Sequence, residues 1–498
     1  MRFFILLASL VLLLQSGEQG KETTAVTPEN TGRNIIFILS DDHRYDFMGF
    51  TGKVPFLETP NMDRMAREGA HIQNAFVSTS LCSPSRASIL TGQFTHRHGV
   101  VDNQSPVPDT AVFFPEHLQK AGYQTAFIGK WHMGHYNDDP RPGFDFWASF
   151  KGQGTYYNPS MNVNGERINY TDSTYISDVL TDYAIEFMDN RPKDKPFFMY
   201  LSHKAVHSRF KPAKRHRGKY ADGAIEYPKT MFPPGHERSM VTEKEYNYSD
   251  VPNWVKAQRN SWHGVDYMYH GAIDFETFYR NYCETVLGID ESIGQVLQYL
   301  EDNDLLENTT VFYMGDNGFS FGEHGLIDKR QAYEESMRVP LLALAKGDIQ
   351  PGTKVTQYIQ NIDIAPTILD LAGLETLEKM DGASFAPILH GENIAWKDTI
   401  YYEYFWERPF PQTPTVHAIR TARYKFIRYH GVWDINELYD LQNDPEEMNN
   451  LIRDPAYTEI SKELRNHLFD WLEKTNGQKM EIKRDQGKRF DHRYDGTY

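Results

Sequence analysis

The sequence predicts an α/β fold, in which a large domain with a mostly parallel sheet between helices precedes a smaller C-terminal α+β domain with an antiparallel sheet. Two observations lead to this prediction. Apolar runs typical of buried strands alternate with amphipathic segments through most of the chain. After about residue 381, segments with alternating polar and apolar residues follow one another instead.

Four apolar runs have the composition of strands that are buried on both faces. They cover residues 34–40, 125–129, 196–202 and 310–315. Amphipathic segments, which we predict to be helices, cover residues 59–69, 114–121, 175–188 and 279–300. Alternation of strands and helices is typical of parallel strands that are joined by crossover helices.

The C-terminal region has a different pattern. Residues 399–429 are rich in aromatic and β-branched residues, and the stretches 415–419 and 424–428 alternate as antiparallel strands do. A last helix is predicted over 457–474, and the polar residues 475–498 are predicted to extend over the surface. The predicted organisation is a signal peptide at 1–22, a large domain at 23–385 and a C-terminal subdomain at 386–498.

The N-terminus has the features of a secretion signal. Arg2 precedes an unbroken apolar stretch at 3–14, which has the length of a signal-peptide core but is too short to cross a bilayer. No later apolar run approaches the roughly 18 residues that a membrane helix needs. The sequence therefore predicts a protein that is exported, either periplasmic or secreted, without a membrane span.

The overall charge excludes one class of partner. The formal net charge is −16, whereas a protein that binds nucleic acid needs a broad basic surface to displace counterions. An anionic ligand can still bind at a local cluster of cations.

The cysteine content excludes a disulfide framework. The chain has two cysteines, Cys82 and Cys283, in 498 residues, so the stability of an exported protein has to come from its core. Cys283 lies in a predicted helix and is interpreted as a buried core thiol.

Polar residues follow the four predicted strands. The carboxyl ends of parallel strands lie at one edge of a sheet, and ligands bind there. The polar residues in question are Asp41, Asp42, Lys130, His132, His203, His207, Asp316 and Asn317. Each alone has an ordinary explanation, since an Asp pair can cap a helix and Asp-Asn-Gly can form a turn. Their common position after strands favours one shared site.

The segment at 82–92 reads Cys-Ser-Pro-Ser-Arg-Ala-Ser-Ile-Leu-Thr-Gly. Pro84 suits the first turn of a helix and Gly92 suits its end, so Cys82 is predicted to lie at a helix N-terminus. A helix start attracts anions through its free amides and its dipole, and Arg86 lies one turn further along. The alternative is a short structural helix with a buried cysteine.

This segment resembles the signature of the type I sulfatases of the alkaline phosphatase superfamily, which is Cys or Ser, any residue, Pro, any residue, Arg, and then Leu-Thr-Gly. The resemblance extends from residues 34–36 to residues 437–451. It implies an alkaline-phosphatase-like fold, with the large domain as the catalytic domain. It also implies that a formylglycine-generating maturation enzyme oxidises Cys82 to formylglycine, whose hydrate attacks sulfur.

The same resemblance implies a calcium site. Asp41 and Asp42 correspond to the first pair of sulfatase metal ligands, and Asp316 and Asn317 correspond to the second pair. The modified Cys82 also faces the ion. Oxygen ligands suit calcium, whereas a soft metal prefers histidine or thiolate ligands.

The resemblance further implies a set of catalytic side chains, namely Cys82, Arg86, Lys130, His132, His207 and Lys329. In the family pattern, His132 removes a proton so that sulfate is expelled, while His207 and Lys329 bind sulfate and protonate the leaving oxygen. The sequence departs from the pattern at one point, because Val206 replaces the usual proline beside His207.

The substrate prediction rests on the stretch 322–342, which is similar to N-acetylglucosamine-6-sulfatases. It predicts a sulfated carbohydrate as the partner, with sulfate on O6 of N-acetylglucosamine in a glycosaminoglycan or mucin-type glycan. Sulfatases that act on galactose, uronic acid or N-sulfo groups share much of this stretch. A sulfatase of another sugar, such as galactose, N-acetylgalactosamine or uronic acid, and an arylsulfatase stay open as alternatives. Trp406, His417 and Arg420 are predicted to contact the sugar. The aromatic stretch 246–279 could also stack on sugar rings, but a solvated insertion is the favoured interpretation.

Two other functions are compatible with this fold. Related metalloenzymes cleave phosphate esters, but they use Ser or Thr and usually two zinc ions, so Cys82 argues against that chemistry. The second is a glycan-binding relative that has lost its activity. Every expected catalytic position is filled in this sequence, which argues against that alternative.

Overall fold

The computed structural model describes residues 32–134 and 137–479. Its strands are β1 (Asn34–Ser40), β2 (Ala70–Ile72), β3 (Ala75–Phe76), β4 (Gln124–Lys130), β5 (Phe146–Phe150), β6 (Ser160–Val163), β7 (Glu166–Asn169), β8 (Phe197–Ser202), β9 (Thr309–Gly315), β10 (Leu341–Ala345), β11 (Thr353–Val355), β12 (Ile359–Gln360), β13 (Ile400–Tyr404), β14 (Thr415–Arg420), β15 (Tyr424–His430) and β16 (Glu437–Asp440). Its α-helices are α1 (Pro60–Glu68), α2 (Cys82–Thr91), α3 (Thr95–His98), α4 (Pro115–Lys120), α5 (Ile176–Asn190), α6 (Asn253–Gln258), α7 (Phe275–Asp302), α8 (Glu334–Met337), α9 (Ile364–Leu371), α10 (Ala386–Leu389) and α11 (Thr458–Lys474).

The large sheet has a parallel centre and antiparallel neighbours. Within the described residues its strand order is β11-β2-β10-β9-β1-β8-β4-β5-β6-β7. The central strands β9, β1, β8, β4 and β5 are parallel to one another. Strand β10 runs antiparallel to β9 on one side, and β6 runs antiparallel to β5 on the other. The predicted α/β class with a mostly parallel sheet is therefore confirmed.

Helices cover both faces of this sheet, which explains why its central strands are apolar throughout. In β1, Ile36 and Ile38 pack in the core formed with α1, α5 and α7. Ile35, Phe37 and Leu39 point to the opposite face, where they pack in the core formed with α2, α4 and α9. Full burial of such a side chain stabilises a fold by about 1.5–3 kcal/mol, so both layers hold the strand in place.

The central strands end at the same level. Ser40 of β1 pairs with Gly315 of β9, and Ser202 of β8 pairs with Gly129 of β4. Gly129 has a φ of +117°, and a Cβ atom there would lie 1.8 Å from the Ser202 carbonyl oxygen. Only glycine fits this close approach. The polar residues that follow the strands are consequently brought to one edge of the sheet.

The second sheet is antiparallel, as predicted, with the order β13-β14-β15-β16. Ile419, Phe426 and Leu438 on one face pack against Leu468 and Trp471, and both of these residues belong to α11. The other face packs against Phe76 of β3 and against Leu326, which lies in the segment after β9. The four-stranded sheet therefore lies between its own helix and the body of the molecule.

The predicted segments agree with the observed elements apart from their ends. The largest difference is at α7, which begins at Phe275 instead of residue 279 because the Asp274 side chain accepts a hydrogen bond from the Thr277 N–H at 2.9 Å. The predicted signal peptide at 1–22 and the tail after 479 lie outside the described residues. The division between 385 and 386 stays a prediction. None of the described helices is both long and apolar enough to cross a membrane.

The buried ion pairs of Lys425 in β15 connect the four-stranded sheet to the segment that contains α8, and a substitution of Lys425 tests their contribution to stability. Its ammonium group is fully buried, 2.9 Å from Glu334 Oε1 and 2.7 Å from Glu447 Oε1, and it donates to the Ala332 carbonyl at 2.9 Å. We expect Lys425→Met to lower the free energy of unfolding by about 3 kcal/mol, because it leaves the buried Glu447 without its cation and Glu334 with Arg420 as its nearest remaining cation. Chemical denaturation measures this change. The exposed Lys462, which pairs with Glu459, is the control, and an equal effect of Lys462→Met would contradict the prediction.

Candidate active site

The candidate site lies at the carboxyl edge of the parallel strands. Asp41 and Asp42 follow β1, and Asp316 and Asn317 follow β9. Lys130 ends β4, and His207 lies in the loop after β8. Cys82 begins α2, whose Gly92 has the left-handed conformation that ends a helix. The structure therefore brings together the predicted metal-ligand and catalytic residues.

Three carboxylates converge at the centre of the site. Oxygens of Asp41, Asp42 and Asp316 lie within 4.8 Å of one another, and all three residues are buried. The Asp42 N–H donates to Asp316 Oδ1 at 3.0 Å. The Asn317 amide donates through Nδ2 to Asp42 Oδ1 at 2.7 Å. These contacts hold the four side chains in one cluster.

The chemistry of this cluster fits a bound metal ion. Asn317 Oδ1 is buried and has no hydrogen-bond partner among the described residues. A buried oxygen without a partner is unfavourable unless a ligand satisfies it. Together with the three carboxylates, it forms a set of oxygen donors that suits a hard divalent cation. These residues form an acidic cluster that can hold a metal ion.

Each carboxylate also has a basic partner. Lys130 donates to Asp41, and Lys329 donates to Asp42. Arg86 donates through Nε to Asp316 Oδ2 at 2.9 Å. Arg86 Nη1 is also fixed, since it donates to the Lys130 carbonyl and to Ser202 Oγ, both at 2.6 Å.

The acidities of the three carboxyl groups differ. Burial raises the pKa of Asp316 to about 7, and repulsion from Asp41 adds to this effect. For Asp41, burial also opposes ionisation, but Lys130, His207 and Arg86 outweigh it, so its pKa lies well below the usual value. Burial raises the pKa of Asp42 although Lys329 opposes the shift. Asp41 is therefore the most stable anion of the three.

Cys82 lies between these charges. Its Sγ is 3.1 Å from Lys329 Nζ and 3.5 Å from Asp41 Oδ1. The residue is completely buried, and burial followed by repulsion from Asp41 raises the pKa of its thiol to about 12. The unmodified thiol is therefore a poor nucleophile at neutral pH.

The two predicted catalytic histidines have fixed orientations. His132 Nδ1 lies 3.3 Å from Ser83 Oγ. His207 Nδ1 lies 2.7 Å from the Ser208 carbonyl and therefore carries the hydrogen, while its Nε2 lies 3.9 Å from Asp42 Oδ2. Burial lowers the pKa of both rings well below the usual value, and Lys130 and Lys329 add to this effect.

His203 lies behind the site. Its Nε2 lies 3.1 Å from Ser292 Oγ of α7, and burial lowers the pKa of the ring to about 4. This position agrees with a role in packing behind the active site rather than in catalysis.

A cavity of 220 Å³ opens from the cluster. Four predicted site residues line it, namely Asp42, His132, His207 and Lys329. The remaining wall contains side chains that sequence reasoning did not assign to the site, among them Asn103, Gln153, Trp262, His263, Asp328, Arg330, Glu407 and Phe410. The predicted solvated insertion therefore contributes to the cavity through Trp262 and His263.

Arg330 organises one side of this cavity. It donates to Asp328 Oδ1 at 2.6 Å and to Glu407 Oε1 at 2.5 Å. Its guanidinium lies 3.7 Å from the centre of the Phe410 ring. Asp328 and Arg330 flank the predicted catalytic residue Lys329 in the sequence, and this proximity is the one sequence feature that points to them as site residues. Glu407 and Phe410 lie in an irregular loop, where no pattern points to them.

The structure does not bring the three predicted sugar contacts to the cavity. His417 is buried and its Nδ1 lies 3.1 Å from His430 Nε2. Arg420 is buried and donates to Glu334 at 2.9 Å. Trp406 is 40% exposed, but it is not among the residues that line the cavity. The cavity lining therefore gives no support to these three predicted sugar contacts, and it includes Glu407 and Phe410 of the β13–β14 loop instead.

Comparison with known families gives two matches. Residues 33–374 match the family described as Sulfatase. Residues 322–474 match the family described as N-sulphoglucosamine sulphohydrolase, C-terminal. The two matches overlap between residues 322 and 374 and together span both sheets.

Two curated relatives carry similar names. The chain is 36% identical over 485 residues to an N-acetylglucosamine-6-O-sulfatase of Bacteroides thetaiotaomicron, with 88% of this chain and 86% of that protein covered. It is 29% identical over 517 residues to an N-acetylglucosamine-6-sulfatase of Capra hircus, with 92% and 87% covered.

Solved structures show the same architecture. A protein described in complex with its substrate D-glucosamine-2-N,6-O-disulfate has a TM-score of 0.78 and 33% identity, with 91% of this chain and 100% of that chain covered. The phosphonate monoester hydrolase of Agrobacterium radiobacter has a TM-score of 0.72 at 20% identity, with 89% and 96% covered. The second likeness concerns the fold alone.

Proposed function

The chain belongs to the sulfatase family, and we propose that it hydrolyses the 6-O-sulfate ester of glucosamine-type sugars, in particular N-acetylglucosamine, in glycosaminoglycan or mucin-type glycans. The names of the two curated relatives and the substrate of the solved structure support this choice of sugar. Sulfatases of other sugars and arylsulfatases are the alternatives that experiment has to exclude.

The observation that carries the proposal is the setting of Cys82. Lys329 lies 3.1 Å from its sulfur, and Lys130 and Arg86 bind the adjacent Asp41 and Asp316. A sulfate ester is an anion, so a nucleophile can approach it only where fixed cations offset the repulsion. Cys82 occupies such a place at the start of a helix, where the dipole also favours an anion.

The acidic cluster is proposed to hold calcium. Asp41, Asp42, Asp316 and Asn317 supply oxygen ligands, and the lone Asn317 Oδ1 fits one of these positions. Calcium accepts six to eight oxygen ligands in flexible geometry. When bound, it supplies positive charge that stabilises the sulfate group and its attacking oxygen.

Cys82 is proposed to be converted to formylglycine by a maturation enzyme. The hydrated aldehyde supplies an oxygen nucleophile in place of the thiol, whose high pKa keeps it protonated. An oxygen at this position would also match the oxygen ligands of the neighbouring proposed calcium site.

The cations are proposed to bind the sulfate oxygens. Although burial opposes the charged form, Asp42 and its neighbours hold the pKa of Lys329 well above the usual value. Lys329 therefore keeps its proton and can donate to the ester. Arg86 is fixed by contacts with three residues, namely Asp316, Lys130 and Ser202, so it acts without having to reorient.

The two histidines are proposed to move protons. Both rings are neutral at neutral pH because burial lowers their pKa. His132, held by Ser83, can accept a proton at the Cys82 side of the site. His207 lines the cavity, and a bound sulfate ester adds negative charge that favours protonation of its Nε2. The same nitrogen can then donate to the leaving oxygen.

The expected location is outside the cytosol, in the periplasm or the medium. The apolar stretch after Arg2 supports this proposal.

The proposed substrate is tested with a panel of defined sulfated sugars. We expect release of sulfate from O6 of glucosamine and N-acetylglucosamine, and at least about 100-fold lower kcat/KM for sulfate on galactose or uronic acid. Ion chromatography of released sulfate measures the rates. Faster hydrolysis of a uronic acid or aryl sulfate would contradict the substrate, and no hydrolysis of any sulfate ester would indicate an inactive relative.

Cys82→Ala tests the nucleophile. We expect turnover to fall by at least about 10⁴-fold, because the variant cannot form the oxygen nucleophile, while the unfolding midpoint stays close to that of the parent protein. The matched control is Cys283→Ala, which removes a buried thiol in α7 and should keep full turnover. Substantial turnover by the Cys82→Ala variant would exclude the covalent mechanism.

Removal of calcium tests the metal site. We expect a chelator to abolish activity and to lower the thermal unfolding midpoint, since calcium at 100 times its Kd stabilises a protein by about 2.7 kcal/mol. Added calcium should restore both. Asn317→Leu should lose most of this calcium-dependent shift, whereas Asn303→Leu at the exposed end of α7 should keep it. A midpoint that does not respond to calcium in the parent protein would contradict the assignment.

A further inference from the structure

We infer that the exposed cations of residues 209–217 (the basic segment) bind the acidic groups of a polyanionic glycan chain whose terminal sulfate ester lies in the cavity. This inference rests on the proposed function and goes beyond it. It selects a chain that is charged along its length, as a glycosaminoglycan is, over a chain that carries a single sulfate.

The basic segment has an unusual charge for this protein. It reads Arg-Phe-Lys-Pro-Ala-Lys-Arg-His-Arg and contains five lysines and arginines and no acidic residue. The formal net charge of the whole chain is −16. A local cluster of cations on an acidic protein attracts an anionic partner to that one place.

The backbone of the basic segment is held by buried neighbours. Phe210 is 3% exposed and packs in the core. The Tyr175 hydroxyl donates to the Lys211 carbonyl at 3.0 Å, and the Tyr157 hydroxyl donates to the Pro212 carbonyl at 2.6 Å. The cations are therefore presented from a fixed loop, which lowers the conformational entropy that is lost when an anion binds.

Most of these cations are not used for ion pairs within the protein. Arg215 is the exception, because it pairs with Asp178 at 2.6 Å and with Glu291 at 2.5 Å. Four exposed cations form no ion pair with any described residue, namely Arg209, Lys211, Lys214 and Arg217. Their positive charge is available to a ligand.

The basic segment begins at the rim of the active-site cavity. Ser208, which directly precedes it, lines the cavity. The Arg209 guanidinium lies 5.9 Å from the centres of the Trp262 and Tyr269 rings, and both residues line the cavity. A glycan chain that leaves the cavity on this side therefore meets the first of the cations directly.

The far end of the basic segment also lies near the cavity wall. The Arg217 guanidinium is 5.3 Å from the centre of the Tyr157 ring, and Tyr157 closely follows residues 151–155, which line the cavity. A chain of nine residues spans at most about 30 Å even when it is fully extended. The cations are therefore within reach of the sugars next to the one in the cavity.

The arrangement favours one class of sulfated chain. Sulfate and carboxylate groups are anions at neutral pH, so a chain that carries them on successive sugars offers ligands to several cations at once. The first contact holds the next acidic group close to its cation, which strengthens binding of the whole chain. A chain with only a terminal sulfate has no charged group to place on the basic segment.

An ordinary solvated surface makes a different prediction. Exposed lysines and arginines are common on proteins and keep them soluble without binding a ligand. Their effect on an anionic substrate would then depend on the net charge of the protein and not on their position. Removal of the same charge from another part of the surface separates the two explanations.

Two variants with equal changes of charge provide this comparison. The test variant combines three substitutions in the basic segment, namely Lys211→Ala, Lys214→Ala and Arg217→Ala. The control variant combines three substitutions of exposed residues that do not line the cavity, namely Lys120→Ala, Lys379→Ala and Arg465→Ala. Arg209 is left in place because it contacts rings of the cavity wall.

Three substrates are compared after full maturation and calcium loading. The first is N-acetylglucosamine 6-sulfate. The second is a hexasaccharide that ends in this sugar and carries a sulfate or carboxylate group on each unit. The third is an equally long chain that carries only the terminal sulfate. The readouts are kcat/KM at low and high ionic strength and the thermal unfolding midpoint.

We expect the parent protein to hydrolyse the charged hexasaccharide with a kcat/KM at least about 10-fold above that of the other two substrates at low ionic strength. This advantage should shrink at high ionic strength, because salt screens exposed charges. The test variant should lose most of the advantage, while its kcat/KM for the monosaccharide stays within about twofold of the parent and its unfolding midpoint is unchanged. The control variant should keep the advantage.

Several results would overturn the inference. Equal kcat/KM of the parent for the charged and the singly sulfated chain would show that no cation outside the cavity is used. An advantage that persists in the test variant would place the contacts elsewhere. An equal loss in the control variant would show that net charge is the cause. An equal loss for the monosaccharide in the test variant would show that the segment only supports the fold of the site.

Failure of the proposed function can be told apart from failure of this inference. If the parent protein hydrolyses no 6-sulfated glucosamine, the proposed function is wrong. Binding of the charged hexasaccharide is then measured by calorimetry with the parent and both variants. Weaker binding by the test variant alone supports the basic segment as the binding surface, and equal binding by all three proteins overturns it.

Discussion

The structure depends on the burial of three carboxylates side by side. Asp41, Asp42 and Asp316 are shielded from water, and removing even one ion from water costs several kcal/mol. The fold offsets this cost by giving each carboxylate its own buried cation, with Lys130, Lys329 and Arg86 as the respective partners. The protein groups then sum to zero charge when all six are ionised. A divalent cation adds two positive charges, so the loaded site attracts an anionic ester.

This charge balance is possible because the strands end together. Pairing of Ser40 with Gly315 and of Gly129 with Ser202 sets the carboxyl ends of β1, β9, β4 and β8 at one level. The side chains that follow these strands therefore lie close together. Asn317 supplies a fourth oxygen without a fourth negative charge. The negative charge of the cluster therefore does not exceed the positive charge of the three cations.

The sequence predicted the parts of the molecule that periodicity or a motif encodes. The run 34–40 is apolar because helices cover both faces of β1, and the segment at 82–92 starts and stops with residues that favour helix ends. The far wall of the cavity could not be predicted, because Phe410 lies in a loop that follows no period. The burial of His417 and Arg420 could not be predicted either, because a strand pattern does not tell which face is covered, and β14 is buried along its whole length.

The complete burial of Cys82 has a consequence for the order of events in the life of this protein. A second enzyme can act on a side chain only if its own active site can reach it, and the folded chain leaves no surface of Cys82 to reach. The proposed oxidation must therefore take place on a newly made, still open chain. Folding and maturation then compete in time. A chain that folds before Cys82 is oxidised keeps its thiol and stays inactive although its fold is correct.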